Sequence, residues 1–485
     1  MVGPGAYAAL GRGETVPALR ATTGRSPLET LTRLFVLQAD VAGADLRRAL
    51  GAVDTLVARG VLQPVTVTTS GEDRVGAAVD IRPYGVDDTD FLVASDLGTG
   101  IGGTRGPVRR DHVLGIGGAS TTLAQLTVRQ PVDRALDLGT GCGVQALHLA
   151  QHSVVVVATD TNPRALAMAA LTAGLNDIRL DLRRGSLFEP VDGERFGLVV
   201  SNPPFVVSPY PRFEYRDAGM EADDLCRVLV EQASGHLADG GTCQLLANWL
   251  HVRGQDWRER VAGWLQLTGC DALVLQREVL DPMQYVETWL RDGGDEPGTP
   301  PYARAYDAWL DWFEGRGVEA VGMGWISLRA AGSARPRTQL EDLRHPVVQP
   351  VGPDIGAWFD RVDRLRRVDD RELLGAAVRL ARGVRVETGS APGPGGHGLE
   401  PAEPQVRQTT GLCRSGAIDP VGVAVLAGVD GERPLGQVLE EVARGYGMAP
   451  EDLLPAASGA VRTLLEEGFL LLPEPGHGGS WTTDR

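Results

Sequence analysis

One short stretch, Leu136-Asp137-Leu138-Gly139-Thr140-Gly141-Cys142-Gly143-Val144-Gln145-Ala146, limits what this chain can fold into more than any other. An apolar run feeds three glycines at alternate positions and then helix-forming residues. Glycine lets the backbone turn tightly and lets a ligand approach where a Cβ would collide. The helix start behind the glycines offers free N–H groups and a partial positive charge. A strand, a glycine turn and a helix in succession are the building unit of an α/β fold.

The text around that stretch repeats the same unit. From about Asp111 to Ala330, short apolar runs alternate with helical segments, the pattern of a parallel sheet covered by helices. Seven strands are expected, at Ala135–Leu138, Val154–Thr159, Leu180–Arg183, Leu198–Ser201, Cys243–Ala247, Ala272–Gln276 and Ala320–Leu328. The helices between them are expected at Val144–Gln151, Pro163–Ala173, Leu225–His236, Trp257–Gln266 and Tyr302–Gly315. A Rossmann-like seven-stranded sheet over 106–330 follows.

The flanks read differently. Residues 1–26 are small and unpatterned, a flexible lead-in. Residues 27–105 hold two amphipathic helices, then Val65-Thr66-Val67-Thr68, a Ser70-Gly71-Glu72-Asp73 turn and a run from Val75 to Ile81. That order suggests a winged-helix-like, mainly helical domain. Residues 331–346 read as a linker and 389–404 as a disordered or extended Pro/Gly tract, so 331–408 combines a helical segment with linker. Residues 409–476 echo the N-terminal unit and read as a second winged-helix-like domain, before a tail at 477–485.

At the expected end of the second strand stands Asp160, 23 residues after Asp137, with Thr161 beside it. A carboxylate there can accept both hydroxyl protons of a ribose. Dinucleotide sites favour G-x-G-x-x-G, whereas here the spacing is G-x-G-x-G, and Asp137 two residues earlier disfavours a pyrophosphate. That acid suits the cationic amino-acid end of S-adenosylmethionine, so Asp137, Gly139, Thr140, Gly141, Gly143, Asp160 and Thr161 are the donor-binding candidates. Ser186 and Leu187, after the third strand, are candidates for the adenine, or else a turn and core residues. Thr122 either touches the donor's carboxylate or caps the helix that continues Leu123-Ala124-Gln125. A glycine turn that holds no ligand is the rival reading.

The second chemical signature is Asn202-Pro203-Pro204-Phe205, after an apolar strand and 42 residues beyond Asp160. Two prolines fix φ and remove donors, so the loop presents carbonyl oxygens and the Asn amide. The lone pair of a planar NH₂ is delocalised. Accepting its two protons, through the Asn202 side-chain oxygen and the Pro203 carbonyl, steers that lone pair toward an incoming methyl group. Phe205 is expected to stack on the flat acceptor. Tyr210, Arg212 and Tyr215 follow closely and are candidates for the acceptor pocket, and Asn202 also borders the donor.

At Asp137–Gly143 and Asn202–Phe205 the chain resembles class I methyltransferases of the small-domain type, which include release-factor glutamine methyltransferases and ribosomal or transfer RNA enzymes that methylate exocyclic amines. The resemblance spans roughly Asp111 to Ala330. It implies S-adenosylmethionine as cofactor, donor binding at Asp137, Gly139, Gly141, Gly143 and Asp160, and acceptor activation at Asn202, Pro203, Pro204 and Phe205. Relatives commonly carry an acid where Ser186 stands, and release-factor enzymes tend to carry Tyr in place of Phe205.

Composition weighs on the partner. All 47 basic residues are arginine, and the net charge is −16, which repels a polyanion unless arginines gather locally. A macromolecular acceptor is expected, RNA slightly ahead of protein because of the flanking units; a protein glutamine, a natural product, or a donor-binding regulator without turnover are the alternatives. The 5 cysteines are scattered and the 8 histidines unpaired, so no metal is expected. With no membrane-length apolar run and no signal-peptide pattern, a cytoplasmic location is expected.

Overall fold

The apolar runs at the centre of the sheet become strands because β-branched residues such as Val156, Val157, Val199 and Val200 pack well on a pleated surface buried on both sides. The eight-stranded sheet runs, edge to edge, Thr338–Asp342, Asp271–Leu280, Val318–Arg329, Leu237–Val252, Phe196–Ser201, Val132–Leu138, Ser153–Asp160 and Asp181–Arg184. We number these strands first to eighth in chain order from Val132–Leu138. The first pairs in parallel with the second and the fourth, the second with the third, and the fourth with the fifth. The seventh is antiparallel to both the fifth and the sixth. All seven expected strands are present; the eighth occupies part of the expected linker at 331–346, where Arg337 and Thr338 lead into a run too short and polar to stand out in sequence.

The computed structural model describes residues 2–65, 73–86, 89–98, 109–210, 212–217, 220–392 and 397–473. It divides into two units, Met1–Ala124 with Arg129–Leu340, and Gln125–Val128 with Glu341–Arg485. Successive strand residues point to opposite faces, so neighbouring Trp249 and Leu250 fall in different cores. Trp249 packs with Leu229, Trp257 and Val261 from helices Asp224–Ala233 and Trp257–Leu265. Leu250 packs with Tyr285, Trp309 and Phe313 from helices Pro282–Asp292 and Pro300–Gly315.

The N-terminal flank is more ordered than its composition implied. Within the expected lead-in, helices Gly3–Leu10 and Val16–Ala21 bury Ala6 and Ala18 against Leu37. Alanine faces allow close approach where no large side chain advertises a core. Next come helix Pro27–Leu31, strand Val41–Ala42, helices Gly43–Leu50 and Val53–Ala58, and strands Leu62–Val65 and Arg74–Ala77, which form one antiparallel sheet. The expected Ser70-Gly71-Glu72 turn and Thr66–Thr68 lie outside the described residues. A hairpin, Asp80–Val86 with Thr89–Ser95, packs with the central region: Ala94 N donates to Thr172 Oγ1 at 3.0 Å, and Phe91 and Val93 join Leu147 and Met168.

In the second unit, helices Gly352–Arg367, Asp370–Gly375, Pro420–Gly428, Leu435–Gly445 and Pro450–Glu467 surround one core. Leu373 and Val406 share it with Leu426, Leu439 and Leu465, so a single core spans the border expected at 408/409. Where described, the Pro/Gly tract takes the extended form of its two expected alternatives and is paired. Ser390–Pro392 pairs with Leu399–Pro401, and Val384–Glu387 with Gln405–Gln408. The expected tail at 477–485 lies outside the described residues. Among those described, no helix is long and apolar enough to cross a membrane.

Candidate active site

The first strand ends at Leu138 and the chain turns at once. Gly139, Gly141 and Gly143 adopt φ of +78°, +54° and +85°, where a side chain is strained. A Cβ on Gly139 or Gly141 would meet nothing within 4 Å, whereas one on Gly143 would lie 3.1 Å from Ala169 Cα in helix Pro163–Leu175. The first two glycines thus border open space, and the third lets two helices approach. The N–H groups of Gly139 and Thr140 both donate to Thr159 O at 2.9 Å, pinning the turn to the second strand.

Asp137 lies under this turn, fully buried. Its Oδ2 accepts from Thr140 Oγ1 at 2.6 Å and from Ala146 N at 3.0 Å, while Oδ1 is buried without a hydrogen bond. Burial pushes its pKa up to about 7 against the pull of those two bonds. Asp137 is not among the residues lining the cavity. Still inside a strand buried on both faces, it holds the turn from below.

Beside the turn opens a cavity of about 580 Å³. Gly139, Thr140 and Gly141 line it from the first strand's turn, Asp160 and Thr161 from the second, and Ser186 and Leu187 from the third. Asn202, Pro203 and Pro204 line it from the fourth. Asp160 accepts from Gly141 N at 3.0 Å through Oδ2 and from Asn162 N at 2.9 Å through Oδ1. Burial first, and Glu214 nearby, hold its carboxyl above the usual range. Leu187 takes a positive φ of 51°, which turns the chain after the third strand. The fourth strand places its loop beside the glycines because Ser201 stands opposite Leu138 in the register.

Four further candidates lie outside the lining. Thr122 sits inside helix Gly118–Leu126 and does not line the cavity; Gly115, Gly117 and Ser120, ahead of it, do. Gly143 packs helices and is absent from the lining. Tyr210 is 70% exposed and lies outside the lining, whereas Arg212 and Tyr215 are in it. Phe205 is also outside: its N–H donates to Pro203 O at 2.7 Å, and its ring meets Trp289 edge-on with centroids 6.5 Å apart. That tight turn carries the ring toward the core.

Sequence reasoning missed one wall. Arg110, His112 and Glu214 line the cavity, and Glu214 N donates to Arg110 O at 3.2 Å. His112 and Val113 are held by Asp96, which accepts from Val113 N at 2.8 Å and is paired with Arg164. No local pattern announces contacts between segments so far apart. Among the described residues no cluster of His, Cys, Asp or Glu is arranged to hold a metal.

Residues 115–255 match the family Methyltransferase small domain. Residues 1–74 and 356–472 match two others, Domain of unknown function (DUF7059) and Domain of unknown function (DUF7782). The chain is similar to a release factor glutamine methyltransferase of Geobacter sulfurreducens, 35% identical over 156 residues, 29% of this chain and 52% of that protein. It is similar to a ribosomal protein uL3 glutamine methyltransferase of Bradyrhizobium diazoefficiens, 34% identical over 151 residues, 28% of this chain and 46% of that protein. It is also similar to a ribosomal RNA small subunit methyltransferase C of Alcanivorax borkumensis, 30% identical over 115 residues, 24% of this chain and 32% of that protein. The chain thus spans about half the length, or less, of these relatives.

Proposed function

We propose that this chain, which carries a methyltransferase small domain at residues 115–255, is an S-adenosylmethionine-dependent methyltransferase that places the methyl group on a planar nitrogen of a macromolecule. The observation that carries the reading is the single cavity shared by the glycine turn, Asp160 and Asn202-Pro203-Pro204.

The residues present fit the donor. The open edges of Gly139 and Gly141 leave room for it. Asp160 keeps acceptor capacity for a ribose after its two backbone bonds, since a carboxylate offers about four lone-pair sites. Ser186 and Leu187 line the same cavity, which supports their proposed contact with the adenine. The bound donor supplies an electrophilic methyl on a sulfonium that leaves as a neutral thioether. On the acceptor side, the Asn202 side-chain oxygen and the Pro203 carbonyl accept hydrogen bonds from the two N–H groups of a flat NH₂, and as the nitrogen takes the methyl one of those protons is released to solvent. The carbonyl already accepts one bond, from Phe205 N, and has a second lone pair for the substrate. No strong base is required; orientation and exclusion of water do the work.

The flanking units suggest nucleic acid, but two arginines of residues 27–77 already have acidic partners and the chain is acidic overall, which favours protein. Arg47 bonds Asp73 at 2.9 Å and Arg48 is paired with Asp45, and the chain carries −16 overall. Cations already neutralised contribute little to phosphate binding. An amide nitrogen of a protein is therefore the preferred acceptor, the class named for two of the relatives above. A base amine is the second reading, favoured by the helix–strand–helix–helix–strand–strand order of residues 27–77.

Incubation with methyl-labelled S-adenosylmethionine and fractionated lysate tests both. Protease-sensitive label is expected. Ribonuclease-sensitive label selects the base amine, and no label in any fraction removes the enzymatic reading.

A further inference from the structure

We propose that Tyr215, not Phe205, is the surface on which the planar acceptor lies. The inference rests on the reading of the site as an N-methyltransferase, and it concerns which ring sets the acceptor's plane.

Tyr215 lines the cavity together with Asn202, Pro203 and Pro204, while Phe205 is spent on Trp289. A flat amide or base presents a π-face, which an aromatic ring in a partly desolvated wall can stack against. Tyr215 is built into such a wall. Its ring stacks on Phe213, with centroids 5.4 Å apart and an interplanar angle of 29°, and meets His112 edge-on at 6.1 Å. Phe213 is 5% exposed, and the guanidinium carbons of Arg216 and Arg212 lie 4.9 and 5.0 Å from its centroid.

The backbone that carries these rings is fixed as well. Asp217 Oδ2 accepts from Arg212 N at 2.6 Å and from Phe213 N at 2.8 Å, closing the loop on itself. Arg216, 5% exposed, donates to Trp289 O at 2.7 Å and to Asp292 at 3.1 Å, fastening the loop to helix Pro282–Asp292. Its own carbonyl accepts from Val206 N at 2.8 Å, next to the Asn-Pro-Pro turn. The result is a pre-set aromatic plane beside the proton-accepting groups, an arrangement that lowers the ordering cost of binding a flat ligand.

The test uses the full chain, methyl-labelled S-adenosylmethionine, and as acceptor whichever lysate fraction, protein or RNA, the unaltered protein labels. Tyr215→Ala is expected to raise the apparent KM for that fraction about tenfold, the scale of one lost stacking contact, with affinity for S-adenosylhomocysteine unchanged. Tyr215→Phe is expected to restore KM to within about threefold of the original, since the ring and not the hydroxyl is used. Should Tyr215→Ala fail to fold, Tyr215→Leu keeps the bulk and carries the same expectation. An unchanged KM in Tyr215→Ala alongside a raised one in Phe205→Ala overturns the assignment. A parallel loss of S-adenosylhomocysteine affinity overturns it too, by reducing Tyr215 to a scaffold. Absence of label with the unaltered protein is a different failure, that of the methyltransferase reading, and the inference falls with it.

Discussion

Ser201 Oγ donates to the carbonyl oxygen of Leu138 at 2.8 Å. The bond ties the last residue of the fourth strand to the last residue of the first, so that Asn202 and Gly139 leave the sheet side by side. Ser201 is 2% exposed, and a buried carbonyl that gains such a partner avoids an unsatisfied acceptor. The glycine loop and the Asn-Pro-Pro loop meet at one cavity beside this junction.

Asn202→Ala removes one of the two groups proposed to accept the acceptor's protons. Turnover is expected to fall at least about a hundredfold, the scale seen when one preorganised polar contact to a reacting group is lost. Affinity for S-adenosylhomocysteine, measured by calorimetry, is expected to stay within about threefold. Retained turnover removes Asn202 from the chemistry.

Asp160→Ala deletes the carboxylate at the end of the second strand and the acceptor for Gly141 N and Asn162 N. Donor affinity is expected to drop about tenfold or more. Asp160→Asn, which retains one acceptor oxygen, is expected to fall between the two. Equal calorimetric affinity in all three proteins ends the ribose assignment.

Gly143→Ala places a Cβ at φ +85° and 3.1 Å from Ala169 Cα. Backbone strain and the pushed-apart helix each cost about 1 kcal/mol or more. A lower thermal midpoint with a weakened donor site is expected, whereas an unaltered melting curve contradicts the close packing.

Asp137 titrates with a folded-state pKa raised to about 7 by burial, from an ordinary value of 3.8. Between those values the folded chain binds more protons than the unfolded one. The residue's contribution to stability is therefore full below pH 4 and is lost as pH rises toward 7. In Asp137→Asn the carboxamide oxygen still accepts from Thr140 and Ala146 while the titration is gone. The stability of the original protein relative to this variant is expected to decline across that window, by a few kcal/mol at most. Parallel pH profiles from chemical denaturation count against a raised pKa.

The sequence by itself determined seven of the eight sheet strands, five of the helices between them, the glycine turn and the residues of the two loops. These are local matters: a run of valines, a glycine at each forced φ, two prolines after an asparagine. What the tertiary structure decided lies between segments. Leu138 and Ser201, 63 positions apart, become neighbours only through strand order. Phe205 turns inward because Trp289, on a helix inserted between the sixth and seventh strands, receives its ring, and that leaves Tyr215 facing the cavity. Asp137 is an acid beside glycines in the text, but burial on both faces of the sheet makes it a support for the turn. Thr122 and Ser120 differ by half a helical turn, and the start of the helix decides which one reaches the cavity. Spacing along a chain encodes local geometry; which side chain wins a shared space depends on every other side chain competing for it.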